Sequence, residues 1–321
     1  MNLRSRVFLV GWHAASRAPQ DVVRAVMHVA AEAAWLAHGA GVRQLEANLR
    51  RVVPGADDRE IRRLSRENMR RYLRYYGETF MLGRMTPEQM LARVRPIGDQ
   101  GVRDVIDAEH SALLALGHQG NYDLAGAWAT VHVAPTTTVA ERLEPPEVFA
   151  EFVSLRERNG LTILPLDPGK DVFRDLLRAV KGGGALVPLL ADRDLTERGI
   201  EVDLFGHRAR VAAGPAALAI STGAPLFTTT VRHVRLRGAE RRAAGSRWGI
   251  VLSFLPVEVE LDRTLPRAQQ VARLTQAWVD LLAADIAAHP TDWHMLQKVF
   301  VADMDPERAA RATRPEASSG G

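Results

Sequence analysis

The chain has 321 residues, of which 46% are hydrophobic and 25% charged, and its formal net charge is +4. That length and composition suit one large folded domain or two modest ones and exclude wholesale disorder. Cysteine is absent, which excludes disulfides, thiolate metal sites and a thiol nucleophile and fits a reducing compartment.

At the N-terminus, Arg4 and Arg6 precede only a short apolar run, Val7 to Val10, so no secretory signal is expected. The apolar stretch Val22 to Ala40 is interrupted by Arg24, His28 and Glu32, whereas a spanning helix needs about 20 predominantly apolar residues. No membrane span is expected, and membrane contact would come from the water side. Residues 20–82 read as helices, the first capped by Asp21, with a break at Pro54-Gly55-Ala56-Asp57. After the break, Ile61, Leu64, Tyr72, Leu73, Tyr76 and Phe80 recur at helical spacing. Arg59, Arg63, Arg66, Arg70 and Arg74 follow the same rule on another face. Between Arg43 and Arg74 ten arginines stand against five acids. Such a segment reads equally as a solvated face or as a surface for anionic lipid headgroups. No recognisable nucleic-acid module accompanies it, so nucleic acid is not an expected partner.

From about residue 100 short strands alternate with helices. The strand candidates are Ala112–Leu116, Thr136–Val139, Thr162–Leu166, Ala185–Leu190, Leu226–Val234 and Trp248–Phe254. Helices are expected over Leu124–Val131, Asp171–Lys181, Pro215–Thr222 and about Pro266–Ala288. This alternation argues for an α/β fold, a central mixed and largely parallel sheet surrounded by helices, with an N-terminal helical segment. One domain is expected over residues 1–305, helical over 1–98 and α/β over 99–305. The polar, small-residue tail 306–321 is expected to be disordered.

Two short segments carry chemistry. Gly117-His118-Gln119-Gly120-Asn121-Tyr122-Asp123 lies where a strand ends and a helix begins, the place where open α/β sheets gather ligand sites. A histidine with nearby carboxylates is suited to general base catalysis near neutral pH. The H-x4-D spacing alone is a weak signal, but Gly117 and Gly120 allow the tight turn that a reactive loop needs. Asp192-Arg193-Asp194 follows the strand Ala185–Leu190, again at a carboxyl end. Residues five apart on a regular helix point about 140° apart. Asp123 therefore reaches His118 only if the turn bends favourably. Asp192 is the acid best placed on a neighbouring strand end, and Asp123 is then free to pair with Arg156. Which acid orients His118 stays open at this point.

These segments resemble the lipid acyltransferase superfamily, in the branch that holds late lipid A acyltransferases and phosphatidylinositol mannoside acyltransferases. Gly117 to Asp123 looks like its first signature. Further blocks follow in the same order: Arg156-Glu157-Arg158-Asn159-Gly160, Asp192 to Leu195, Gly199 to Gly206, Gly214-Pro215, Thr222 to Leu226 and Asp292-Trp293-His294-Met295. The resemblance runs to about residue 303. Val139 to Leu143, Ala191 to Thr196 and Asp292 to Gln297 look most like the phosphatidylinositol mannoside branch.

The resemblance implies a peripheral enzyme on the cytoplasmic face of the cell membrane. It would move a long-chain, palmitoyl-type acyl group from acyl-CoA to a mannose hydroxyl of a phosphatidylinositol mannoside. A lipid A-type, other glycolipid or lysophospholipid acyltransferase is the alternative, and a catalytically silent membrane-binding protein a more distant one. His118 would be the general base, with Asp123 and Asp192 both needed. Arg156, Arg158 and Arg193 are expected at phosphate groups, since Arg matches phosphate geometry. Glu141 and Arg142 are expected at the sugar or paired with each other, Asn121 as a hydrogen-bond donor or equally as a helix cap or turn residue, and Asp194 with the Asp192 block. Acyl-CoA is expected as substrate, with no cofactor, no metal and no obligate protein partner. The interior-facing residues of 124–131 and 152–176 are expected to line an apolar slot for the acyl chain.

Overall fold

The computed structural model describes residues 3–142, 145–166, 171–194 and 199–304. Four helices come first: α1 (Leu3–Ala15), α2 (Gln20–Ala37), α3 (Ala40–Val52) and α4 (Asp58–Met81). Then follow α5 (Pro87–Arg93), β1 (Val94–Ile97), α6 (Asp99–Asp107), β2 (Ala112–Leu116), α7 (Tyr122–His132) and β3 (Thr137–Glu141). The middle of the chain forms α8 (Pro146–Arg158), β4 (Thr162–Leu166), α9 (Val172–Lys181) and β5 (Leu186–Leu190). It continues as β6 (Ile200–Leu204), β7 (His207–Val211), α10 (Gly214–Thr222) and β8 (Leu226–Arg235). The last elements are α11 (Gly238–Ala244), β9 (Trp248–Pro256) and α12 (Arg267–Ala288). The expected tail 306–321 lies outside the described residues.

The central sheet has five strands in the order β1-β9-β8-β2-β5. Its pairs are parallel except β8 with β9, which is the expected mixed, largely parallel sheet. All five residues of β2 are buried, as a continuous apolar run in a parallel strand covered on both faces should be. β1 precedes the change of pattern near residue 100, yet it forms one edge of this sheet. At the other edge, a single bridge from Thr136 to Leu186 joins β5 to the parallel pair β3–β4. Further along, the Thr138 hydroxyl of β3 donates to the Pro188 carbonyl of β5 at 2.6 Å.

Helix boundaries follow local chemistry. Asp57 caps α4 by accepting from the backbone N–H of Glu60, which stops α3 and α4 from merging across Pro54. The expected cap Asp21 instead sits inside the first turn of α2, after Pro19, and pairs with Arg24. The arginine face of α4 is largely spent on internal ion pairs. Arg66 and Arg70 both reach Glu32 of α2, at 2.7 and 2.5 Å, and Arg63 pairs with Glu60 of its own helix. No helix among the described residues is long and apolar enough to cross a membrane.

Candidate active site

Parallel pairing in register sets the site. Leu116 at the end of β2 lies opposite Leu190 at the end of β5, so the next residues of both strands leave the same edge of the sheet. His118 and Asp192 therefore emerge side by side. The His118 ring Nδ1 lies 2.6 Å from one oxygen of Asp192, and the His118 backbone N–H donates to the other at 2.9 Å. The indole N–H of Trp293 donates to that second oxygen at 2.8 Å. Burial by itself would push the Asp192 carboxyl up. The adjoining imidazole, the backbone N–H and the indole outweigh it and hold the group below its ordinary value. The carboxylate is thus ionised, Nδ1 carries the proton, and the lone pair of Nε2 is left for the cavity that His118 lines.

Asp123 does not orient His118. It is buried on the first turn of α7, where it accepts from Arg156 at 2.8 Å and from the Tyr75 hydroxyl at 2.8 Å. Of the two acids left open by the sequence, Asp192 is the one bonded to His118, and Asp123 bonds Arg156 and Tyr75.

The cavity over His118 has a volume of about 520 Å³. Its polar wall includes Glu141, Arg156, Arg193 and His294, and its apolar wall includes Leu166, Val172, Phe173 and Leu176. Arg193 and Glu141 form an ion pair at 2.6 Å across this wall. A narrower apolar slot of about 70 Å³ adjoins it, sharing Tyr122, Val139, Arg156 and Leu190. Ala125, Gly126 and Ala129 of α7, with Leu161, line the slot, so both expected segments contribute to apolar lining.

Four of the residues expected to bind substrate do not line the cavity. Asn121 caps α7 through the N–H of Leu124 and donates its amide to buried Glu78. Arg158 is exposed and bonds Ser154 and Glu151 on its own helix. The guanidinium of Arg142 lies over the Phe149 ring at 5.7 Å. Asp194 is held near Arg210, 3.7 Å away, where the side chains of both are almost fully buried.

Sequence reasoning missed the strap that follows α12. His294 N–H donates to the His118 carbonyl at 2.7 Å, and Gly120 N–H donates to the Asp292 carbonyl at 2.9 Å. Asn68 of α4 donates to the carbonyls of Trp293 and Pro290, and Asn48 of α3 to those of Met295 and Gln297. The N-terminal helices thus grip the strap, and the strap grips the reactive loop. Because the Asn68 amide nitrogen is committed, its oxygen faces His294 Nδ1 at 3.3 Å, and Nδ1 carries the proton. Burial holds the His294 imidazole down at about 3, so the ring is neutral. The recurrence of Asp292-Trp293-His294 among the resembling blocks was the available signal, but nothing local assigned it a structural task.

Residues 5–301 match the sequence model of the family described as bacterial lipid A biosynthesis acyltransferase. The chain is 37% identical to a phosphatidylinositol mannoside acyltransferase of Mycolicibacterium smegmatis over 306 residues, covering 95% of this chain and 93% of the relative. It is 36% identical over 309 residues to a phosphatidylinositol mannoside acyltransferase of Mycobacterium tuberculosis strain H37Rv, covering 95% and 90% of the two. A relationship along nearly the whole of both chains does not depend on a single motif. The chain belongs to the bacterial lipid A biosynthesis acyltransferase family and is an acyltransferase.

Proposed function

We propose that this protein transfers a long-chain acyl group from acyl-CoA to a mannose hydroxyl of a phosphatidylinositol mannoside at the cytoplasmic membrane face. The observation that carries the chemistry is the His118–Asp192 pair beside an apolar slot. The names of the relatives supply the acceptor. In the reaction, His118 Nε2 takes the hydroxyl proton as the hydroxyl oxygen bonds to the thioester carbonyl carbon. Asp192 stabilises the imidazolium that forms. The tetrahedral adduct then collapses, the C–S bond breaks, and the CoA thiolate leaves and recovers the proton. General base assistance of this kind contributes about 10²–10⁴-fold.

The slot and the apolar wall at Leu166, Val172, Phe173 and Leu176 suit the acyl chain, which needs an enclosed apolar lining. Arg193 and Glu141 stand at the polar side, where a sugar or phosphate of either substrate would meet them. Asp123 and Arg156 act as positioning residues at the junction of cavity and slot.

The family description favours a second acceptor, a lipid A precursor. Incubation of purified protein with labelled palmitoyl-CoA or palmitoyl-acyl carrier protein and a panel of acceptors separates the readings. Mass spectrometry should find the acylated mannoside as the main product with the CoA donor. Preferential acylation of a lipid A precursor or a lysophospholipid would transfer the assignment to that substrate.

A further inference from the structure

A second groove, of about 490 Å³, lies between α2, α4 and the strand pair β8–β9 and shares no lining residue with the cavity of His118. Val23, Met27, Gly77 and Met81 give it an apolar lining. Trp248 stands in one wall, with the Arg74 guanidinium 3.8 Å and the Arg235 guanidinium 5.6 Å from its rings. Arg247 adjoins them. Among the described residues, none of these three arginines has a carboxylate within salt-bridge distance, and Arg74 Nη1 is buried without a hydrogen-bond partner. The acids that line the groove are already committed, Asp21 to Arg24 at 2.5 Å and Glu78 to Arg93 at 2.9 Å. The Arg74 and Arg235 guanidiniums beside one indole, with Arg247 lining the same groove, repel one another unless an anion joins them. The planar forks of arginine suit the several oxygens of a phosphate.

The neighbouring face of α2 points to where such a phosphate comes from. Val22, Val26, Val29 and Leu36 are 51–68% exposed. At about 100° per residue they share one face, roughly a third of a turn from Asp21, Arg24 and His28 at the groove. A contiguous exposed apolar stripe on a soluble helix marks an interaction surface, and one beside a cationic groove has the form of an interfacial helix. Of the arginines of α4 first suspected of this task, Arg63, Arg66 and Arg70 are paired internally, as described above.

We propose that the groove around Trp248 binds the phosphate of an anionic phospholipid headgroup, with the apolar face of α2 seated in the bilayer surface beside it. The proposal rests on the acceptor being a membrane lipid only for its choice of a lipid as the source of the phosphate. The site is separate from the acyl-transfer cavity, so its loss should remove membrane attachment and spare the chemistry.

The test is co-sedimentation with vesicles of phosphatidylcholine alone or mixed with phosphatidylinositol. The wild type should bind the mixed vesicles and not the neutral ones. Arg235→Glu/Arg247→Glu, both exposed positions, should weaken that binding by about thirtyfold or more, since each interfacial basic residue contributes about fivefold. Val22→Ser/Val26→Ser/Val29→Ser should also weaken it while leaving the sedimentation velocity of the free protein unchanged. Both variants should retain wild-type transfer to detergent-dispersed acceptor, which separates failure here from failure of the proposed function. Unchanged vesicle binding by the arginine variant would overturn the proposal. A wild-type dimer dissociated by the valine variant would overturn it in favour of a second copy of this chain. Arginine-dependent binding of inorganic phosphate as tight as binding to vesicles would overturn the lipid assignment.

Discussion

Asp192 illustrates how much a single carboxylate does when both of its oxygens are occupied. One oxygen fixes the His118 ring and the other holds the loop backbone and the Trp293 indole. Asp192→Asn keeps the size of the side chain but lets its amide donate to Nδ1, turning the imidazole to the tautomer whose cavity nitrogen carries the proton. Steady-state assays should find kcat lowered by about 10²–10⁴-fold with the thermal midpoint little changed. His294 makes a different residue-scale prediction. Its folded value of about 3 lies below the ordinary histidine value of 6.5, so the unfolded chain takes up a proton first as pH falls. The associated stability is complete above about pH 6.5 and is lost toward acid, at up to about 1.4 kcal/mol per pH unit. Denaturant titrations at pH 7.5 and 5 should find that the wild type loses about 2 kcal/mol more between them than His294→Gln. Equal losses would mean that His294 is not held neutral by the fold.

At the scale of elements, the loop between β2 and α7 depends on one glycine. Gly120 has φ +53°, and a Cβ there would lie 2.5 Å from the Val231 carbonyl oxygen, a backbone atom that cannot rotate away. Gly120→Ala should cost about 2 kcal/mol or more of stability and displace His118, lowering kcat. Gly55→Ala, at a site with open space, serves as the control in the same melts and assays. The sequence showed these elements well where signals were local. Ala112–Leu116 and Thr162–Leu166 have the boundaries expected from their apolar or β-branched runs. The hairpin β6–β7 was not foreseen, because its turn is Phe205-Gly206 with both residues at positive φ. Phenylalanine rarely adopts that conformation, so the turn lacks the usual Asn-Gly or Asp-Gly signal. Helix α8 was also missed, although Arg156 on it was singled out.

At the scale of the whole molecule, the site is assembled from distant parts of the chain. His118 and Asp192 were legible because each ends a recognisable strand, and parallel pairing brings such ends together. The strap was not legible, since Asn48 and Met295 are separated by 247 positions and no periodicity links them. For the same reason the sequence assigned Asn121, Arg142, Arg158 and Asp194 to the site, although their side chains turn elsewhere. In the proposed mechanism His118 Nε2 accepts the proton of the attacking hydroxyl in this assembled cavity. The most direct measurement of that step is single-turnover acyl transfer from labelled palmitoyl-CoA to phosphatidylinositol mannoside by wild type and a folded His118→Ala variant. The variant should bind both substrates with near wild-type affinity and transfer at least about 10²-fold more slowly. Transfer by folded His118→Ala at close to the wild-type rate would contradict this mechanism.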